Sequence, residues 1–314
     1  MSTLAKFNSK HKIGANLFFL RLVGLWPIGC DSYKFSAYTT HAIISIIIIM
    51  GSYNFARVMN LFFIYTDLEE LTGSIYLTVT DCLVLVKMYF FVQNIRMLKE
   101  LIGHLDSDLF IPKNETHINL ILNGVKAWRI SYKSFWVMVA GTLSSWSIVP
   151  LFDHDKRRLP LEAWYPYDIK LSPYYEITYI CQVVSIWFLA TANMNMDSFM
   201  AALMMFIGTQ CDILCDDLRN LPEKDEFNKK LLDCVTHHKD VLRFAENSNK
   251  AYNIIILGQF FTSCLAIALS MFQMTLVDMT SNDGLGFLFY ICAMTVQLFQ
   301  YCWFGNEIEV KVNI

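Results

Sequence analysis

The sequence is short of charge: Asp, Glu, Lys and Arg supply 17% of its 314 residues, against about a quarter in an average soluble domain. Proline and glycine are scarce too, at 7 and 13 residues, so long segments run without the punctuation that ends helices. There is no phosphate-cradling glycine loop, no Gly-x-Ser-x-Gly, no His-Glu-x-x-His and no kinase signature, which removes the common hydrolase, protease and phosphoryl-transfer chemistries. Neither an enzymatic activity nor a cofactor is expected. Basic residues are interspersed with acids at a formal net charge of −3, so no basic face exists to hold nucleic acid. Internal repeats are missing, as are Pro/Gly-broken helices at matching positions of two halves, and this argues against a secondary transporter.

What is abundant is apolar. Hydrophobic residues make up 55% of the chain and the mean hydropathy is +0.38, values of the membrane class. Apolar stretches recur at 37–57, 71–93, 132–152, 174–196, 251–277 and 285–304, each long enough for about 30 Å of hydrocarbon. These predict an all-α, polytopic helical bundle in the lipid bilayer, formed as a single domain over 1–314. Residues 17–29, LFFLRLVGLWPIG, are too short to span and carry Arg21. They read as an interfacial or re-entrant segment, with the pattern of an amphipathic piece at the headgroups, rather than as a signal peptide.

Lys and Arg number 18 on the side that holds the N-terminus and 5 on the other, which places the N-terminus in the cytoplasm by the positive-inside rule. All nine cysteines lie in spans or on that inner side, so no disulfide framework is expected. The sequon Asn114-Glu115-Thr116 also falls inside and should stay unmodified. In the fourth span a helical pattern continues from Tyr174 to about Leu218, roughly 65 Å at 1.5 Å per residue. That length projects well past the bilayer on the cytoplasmic side, with helical extensions over about 197–250. Its apolar run 199–208, FMAALMMFIG, then needs a cover, either other inner helices or a neighbouring subunit.

Two ionisable residues, Asp81 and Lys87, sit inside the second span, where charge is costly. Six residues apart, they point about 120° away from each other. Lys87 is close enough to the inner end to snorkel; Asp81 has no such escape and is either a polar contact within the bundle or a pocket residue. Cys211, Cys215, Cys234, His237 and His238 include zinc-ligand types, but i,i+4 cysteines on a helix do not form a knuckle, so no metal site is expected. The outer ends of four spans mix aromatics with small hydroxyls: Tyr76 and Thr80; Thr142, Ser145, Trp146 and Val149; Tyr174, Ile177, Thr178 and Cys181; Phe287, Tyr290 and Met294. In the third and fourth spans they fall at i, i+3, i+4 and i+7 and so share a face. They are the candidate binding residues, suited to a small volatile, weakly polar ligand.

The loop LPLEAWYPYDIKLSPYYEITYICQ (159–182), with its Trp164-Tyr165-Pro166 and Ser172-Pro173 landmarks, resembles the second outer loop and fourth helix of insect odorant receptors. IGTQCDILCDDLRNL with HHKDVLRFAE resembles that family's second inner loop, and QLFQYCWFGNEIEVK the inner end of its sixth helix. The resemblance covers essentially the whole chain. It implies an inverted seven-helix receptor in the plasma membrane of olfactory sensory neurons, tuned to odorants. Such a receptor pairs with an obligate coreceptor subunit in a ligand-gated cation channel. It further implies an inner helical segment and a seventh, pore-lining helix after the Tyr-Cys-x-x-Gly-Asn-Glu region. The sequence shows neither, and Val312-Asn313-Ile314 departs from the family's usual serine. The expectation is a six-span product, from a splice variant, a pseudogene or an incomplete gene model, that binds ligand in part without lining a pore. A non-conducting association partner and a gustatory receptor of the same superfamily are the alternatives; a G-protein-coupled receptor would need an external N-terminus and seven spans.

Overall fold

The computed structural model describes residues 9–29, 36–152, 158–222, 226–277 and 282–312, and the regular elements among them are all helical. In chain order these are α1 (Ser9–Lys12), α2 (Gly14–Leu22), α3 (Ala37–Ile43), a π-helical stretch Ile44–Gly51, α4 (Ser52–Ile64), α5 (Leu68–Gln93), α6 (Ile95–His104), α7 (Glu115–Phe152), α8 (Tyr174–Arg219), α9 (Phe227–Leu276) and α10 (Asn282–Val312). Six of the resulting rods are long and apolar enough to cross a bilayer, and they coincide with the six apolar stretches. Side chains such as Ile47 (64% exposed), Leu257 (73%) and Phe261 (75%) point out of the bundle, as a lipid-facing surface requires.

Local chemistry sets the helix starts. Ser36 Oγ accepts the Thr39 N–H (3.3 Å) ahead of α3, Asp67 Oδ1 accepts the Glu70 N–H (3.2 Å) at α5, and Asn114 Oδ1 accepts the His117 N–H (2.7 Å) at α7. Each satisfies one of the four orphan donors of a first turn. The sequon asparagine is thus a helix cap. The first span is not a regular α-helix. Across its isoleucine run the turn widens to π, and carbonyls there take side-chain hydroxyls, Ile48 from Ser52 and Ile49 from Ser185 of α8 (3.1 Å).

α8 is the mast of the bundle. Its 46 residues span about 69 Å, and every residue from Thr191 to Cys211 is buried. A helix apolar all round must be enclosed on all sides. Here α2, α5, α7, α9 and α10 all pack on it. Trp26 (5.4 Å between ring centroids) and Phe91 (5.8 Å) close on Phe199, while Trp128 Nε1 donates to the Ser198 carbonyl (2.8 Å). The run 199–208 therefore has its cover within this chain, and no neighbouring subunit is needed to account for it.

The N-terminal segment differs from its expected place among headgroups. Leu17, Leu20, Val23, Leu25 and Trp26 are buried in the main core, and only Phe18, Leu22 and Ile28 of its large apolar side chains stay exposed. The reason is the apolar flank of α8, which offers α2 more than a lipid surface does. Asn16 Nδ2 donates to the carbonyl (2.9 Å) and Oδ1 (3.1 Å) of Asn195, whose Oδ1 also accepts from Tyr132 (2.8 Å). Gly24 makes the exit turn at φ +90°, and a Cβ there would sit 2.8 Å from Ala42 Cα, so only glycine fits.

Candidate functional site

The loop between α7 and α8 is folded down onto the end of the bundle. Its Trp164 N–H donates to the Ala56 carbonyl (3.0 Å) and its ring stacks on Phe63 (5.7 Å). Gln182 of α8 clamps Leu161 at both backbone groups (3.3 and 3.0 Å) and donates to the Tyr165 hydroxyl (3.0 Å). Burial pushes the Tyr165 phenol above its ordinary pKa, keeping it a neutral hydroxyl. Arg57 is buried within α4. Its guanidinium donates to the carbonyls of Glu162 (2.9 Å) and Ser74 (3.1 Å).

Beneath this lid lies a cavity of about 80 Å³. α5 contributes Leu77, Thr80, Asp81 and Val84, α7 contributes Phe135, Val139, Thr142, Leu143 and Trp146, and α10 contributes Tyr290, Ala293 and Met294. α8 adds Ile186, Leu189, Ala190, Asn193 and Met194, while Tyr53 of α4 and Leu161 of the loop complete the wall. Aromatic edges organise one side: Tyr290 meets Tyr76 edge-on (5.3 Å) and tilts against Trp146 (5.7 Å). The Tyr290 hydroxyl lies 3.1 Å from Thr80 Oγ1, itself 2.8 Å from the Tyr76 carbonyl. The enclosure is apolar with a few fixed polar groups, the usual make-up of a small-molecule site.

Of the residues singled out on sequence, Thr80, Thr142, Trp146, Tyr290 and Met294 converge on this cavity. Tyr76, Val149 and Phe287 line a wider outer vestibule of about 560 Å³, which shares Leu77, Trp146 and Leu161 with the cavity. Ser145 packs against Gly286 at the α7–α10 crossing. The four α8 residues go elsewhere: Thr178 pairs with the Tyr167 hydroxyl (2.8 Å), Cys181 borders a lateral cleft with Tyr53 and Tyr165, and Tyr174 and Ile177 are exposed. The lid occupies that end of the α8 face, so the cavity uses the same helix two to three turns deeper. Tyr53, Leu161 and the α8 residues from Ile186 to Met194 were not legible as lining, because nothing local to them announces where the lid stops. Asn193, a polar residue in an apolar helix, was the available signal.

Behind the cavity wall, reached through Asn193, lies a buried ionic cluster. Lys87, expected to snorkel outward, is fully buried and pairs with Asp197 Oδ1 (2.8 Å) and Oδ2 (3.0 Å) and with Asn193 Oδ1 (2.8 Å). Asp197 also accepts from the Tyr301 hydroxyl (2.6 Å) and from Gln297, and Gln297 accepts from Gln259 (3.0 Å). Asn193 and Asp197 therefore link α5, α8, α9 and α10 from inside. The snorkel fails because an acceptor pair one turn apart on α8 stands within reach of the ammonium, and enclosure strengthens that attraction. Further down, α10 stays helical through Gly305-Asn306-Glu307, and Lys311 bonds Asp212 of α8 (2.7 Å) and Glu307 (3.0 Å).

A family model for the 7tm odorant receptors matches residues 67–313. Odorant receptor Or1 of Anopheles gambiae is 25% identical to this chain, over 98% of it and 80% of its own length. Odorant receptor 59a of Drosophila melanogaster is 21% identical, over 92% and 77%. Among solved structures, the insect olfactory receptor OR5 from Machilis hrabei superposes with a TM-score of 0.83 at 22% identity, covering 95% of this chain and 80% of that one. Its complex with eugenol gives 0.81.

Proposed function

The chain belongs to the 7tm odorant receptor family, and from that premise we propose that it is an odorant-tuning subunit which, with a coreceptor subunit, forms a ligand-gated cation channel in the plasma membrane of olfactory sensory neurons. The observation that carries the proposal is the cavity bounded by Thr80, Thr142, Trp146, Tyr290 and Met294 beneath the Trp164 lid. Its apolar wall with a few fixed polar groups suits a small, weakly polar molecule, the vestibule of about 560 Å³ that shares Leu77, Trp146 and Leu161 with it extends the space beyond its own 80 Å³, and the Machilis receptor of the same fold has been solved with one small volatile molecule, eugenol. The excess of Lys and Arg on the N-terminal side supports a cytoplasmic N-terminus. Asn193 belongs both to the cavity wall and to the Lys87–Asp197 cluster, so it connects the cavity with the polar junction of four helices.

The test is co-expression with a coreceptor subunit and recording of currents evoked by a panel of volatiles. Binding to the chain in lipid nanodiscs is measured in parallel. Odour-evoked current that is abolished by Trp146→Ala supports the proposal. Binding without current refutes the channel assignment while leaving the cavity, and the absence of both refutes the whole.

A further inference from the structure

Resting on the ligand-cavity assignment above, we propose that Asp81 is the specificity-determining residue of the cavity. It selects neutral ligands that carry a hydroxyl donor, alcohols and phenols, over acceptor-only ethers and esters and over amines. The hydrogen-bonding capacity of the wall is unevenly spent. Thr142 Oγ1 donates to the Met138 carbonyl (3.0 Å), Thr80 Oγ1 lies within reach of the Tyr76 carbonyl and of the Tyr290 hydroxyl, and Asn193 Oδ1 is taken by Lys87. With Thr80 donating to its own helix, its oxygen accepts from Tyr290, which uses up that hydroxyl's proton as well.

Asp81 is the carboxylate among the lining residues. Its Oδ2 is buried with no hydrogen-bond partner among the described residues. Two carboxylate oxygens offer about four lone-pair directions, and those of Oδ2 are left unfilled. A buried acceptor left in this condition is costly, so a ligand that brings a donor gains what an ether cannot. Charge decides between hydroxyl and ammonium. The Arg57 guanidinium is already buried at this end of the bundle, and a cationic ligand would add a second positive charge to an apolar site.

The experiment uses the full chain in lipid nanodiscs and matched volatiles of up to six carbons: each alcohol or phenol, its methyl ether and the corresponding primary amine. Binding is read by saturation-transfer NMR with competition. Alcohols binding about 10- to 100-fold tighter than their ethers and amines, as expected when a donor fills a buried acceptor otherwise left unsatisfied, with the preference lost in Asp81→Leu while ether binding is retained, supports the proposal. Asp81→Asn, which keeps the shape and supplies a donor, serves where the leucine variant fails to fold, and the expected result is ethers gaining on alcohols. Ethers or amines binding as well as alcohols to the wild type overturns the proposal and leaves the cavity assignment standing. If no member of any series binds, the cavity assignment itself falls and the proposal with it.

Discussion

Lys87 and Asp197 lie 110 residues apart in sequence and are 0% and 1% exposed as side chains, so their removal has a calculable asymmetry. Breaking a buried pair by deleting one partner costs about 3–5 kcal/mol, because the remaining charge is left uncompensated. In Lys87→Met, Asp197 keeps the Tyr301 hydroxyl and Gln297 as donors, which holds the loss near 3 kcal/mol. In Asp197→Ala, the ammonium retains Asn193 Oδ1 alone of the partners described for it, and the loss rises to about 5 kcal/mol. At about 2 °C per kcal/mol for a chain of this size, apparent melting temperatures in detergent should fall by about 6 and 10 °C. The double variant Lys87→Met/Asp197→Leu removes both charges and should recover to within about 3 °C of wild type. The assay is thermal unfolding at one fixed scan rate, since membrane proteins of this kind unfold irreversibly. A double variant that falls by the sum of the two singles, or a single variant within about 2 °C of wild type, refutes the claim that the two residues act as one buried unit.

Trp146→Ala removes a half-buried wall of both cavity and vestibule and should weaken volatile binding by about 10-fold, on the scale of about 1.4 kcal/mol; titration in nanodiscs checks it. Gly24→Ala forces a side chain into a left-handed turn and against Ala42 Cα, and should cost at least about 2 kcal/mol. Gly305→Ala, with nothing within 4 Å of the added carbon, should be neutral or stabilising; melting temperatures of the two variants separate the cases. Because Asn114 is expected to be cytoplasmic, glycosidase treatment of protein made in insect cells should leave its mobility unchanged, and a shift that Asn114→Gln abolishes would reverse the proposed orientation.

The sequence by itself determined the membrane class, the six apolar helices and the length of α8. These depend on hydropathy and on the lack of Pro and Gly, properties read along a few consecutive turns. It also brought Thr80, Thr142, Trp146, Tyr290 and Met294 to notice, because aromatic and hydroxyl side chains at helical spacing are visible in one dimension. Which part of each face becomes cavity was decided in three dimensions. The 158–170 lid fills the end of α8 that carries Thr178, and this moves the cavity to Ile186–Met194. Lys87 carries no local mark of its partner, since Asp197 belongs to another helix and reaches it only once α5 and α8 are packed. The same holds for α2, whose amphipathic pattern suits a headgroup layer and an apolar helix flank equally well. Only the presence of α8 beside it, with Asn195 placed to receive Asn16, settled which of the two it covers.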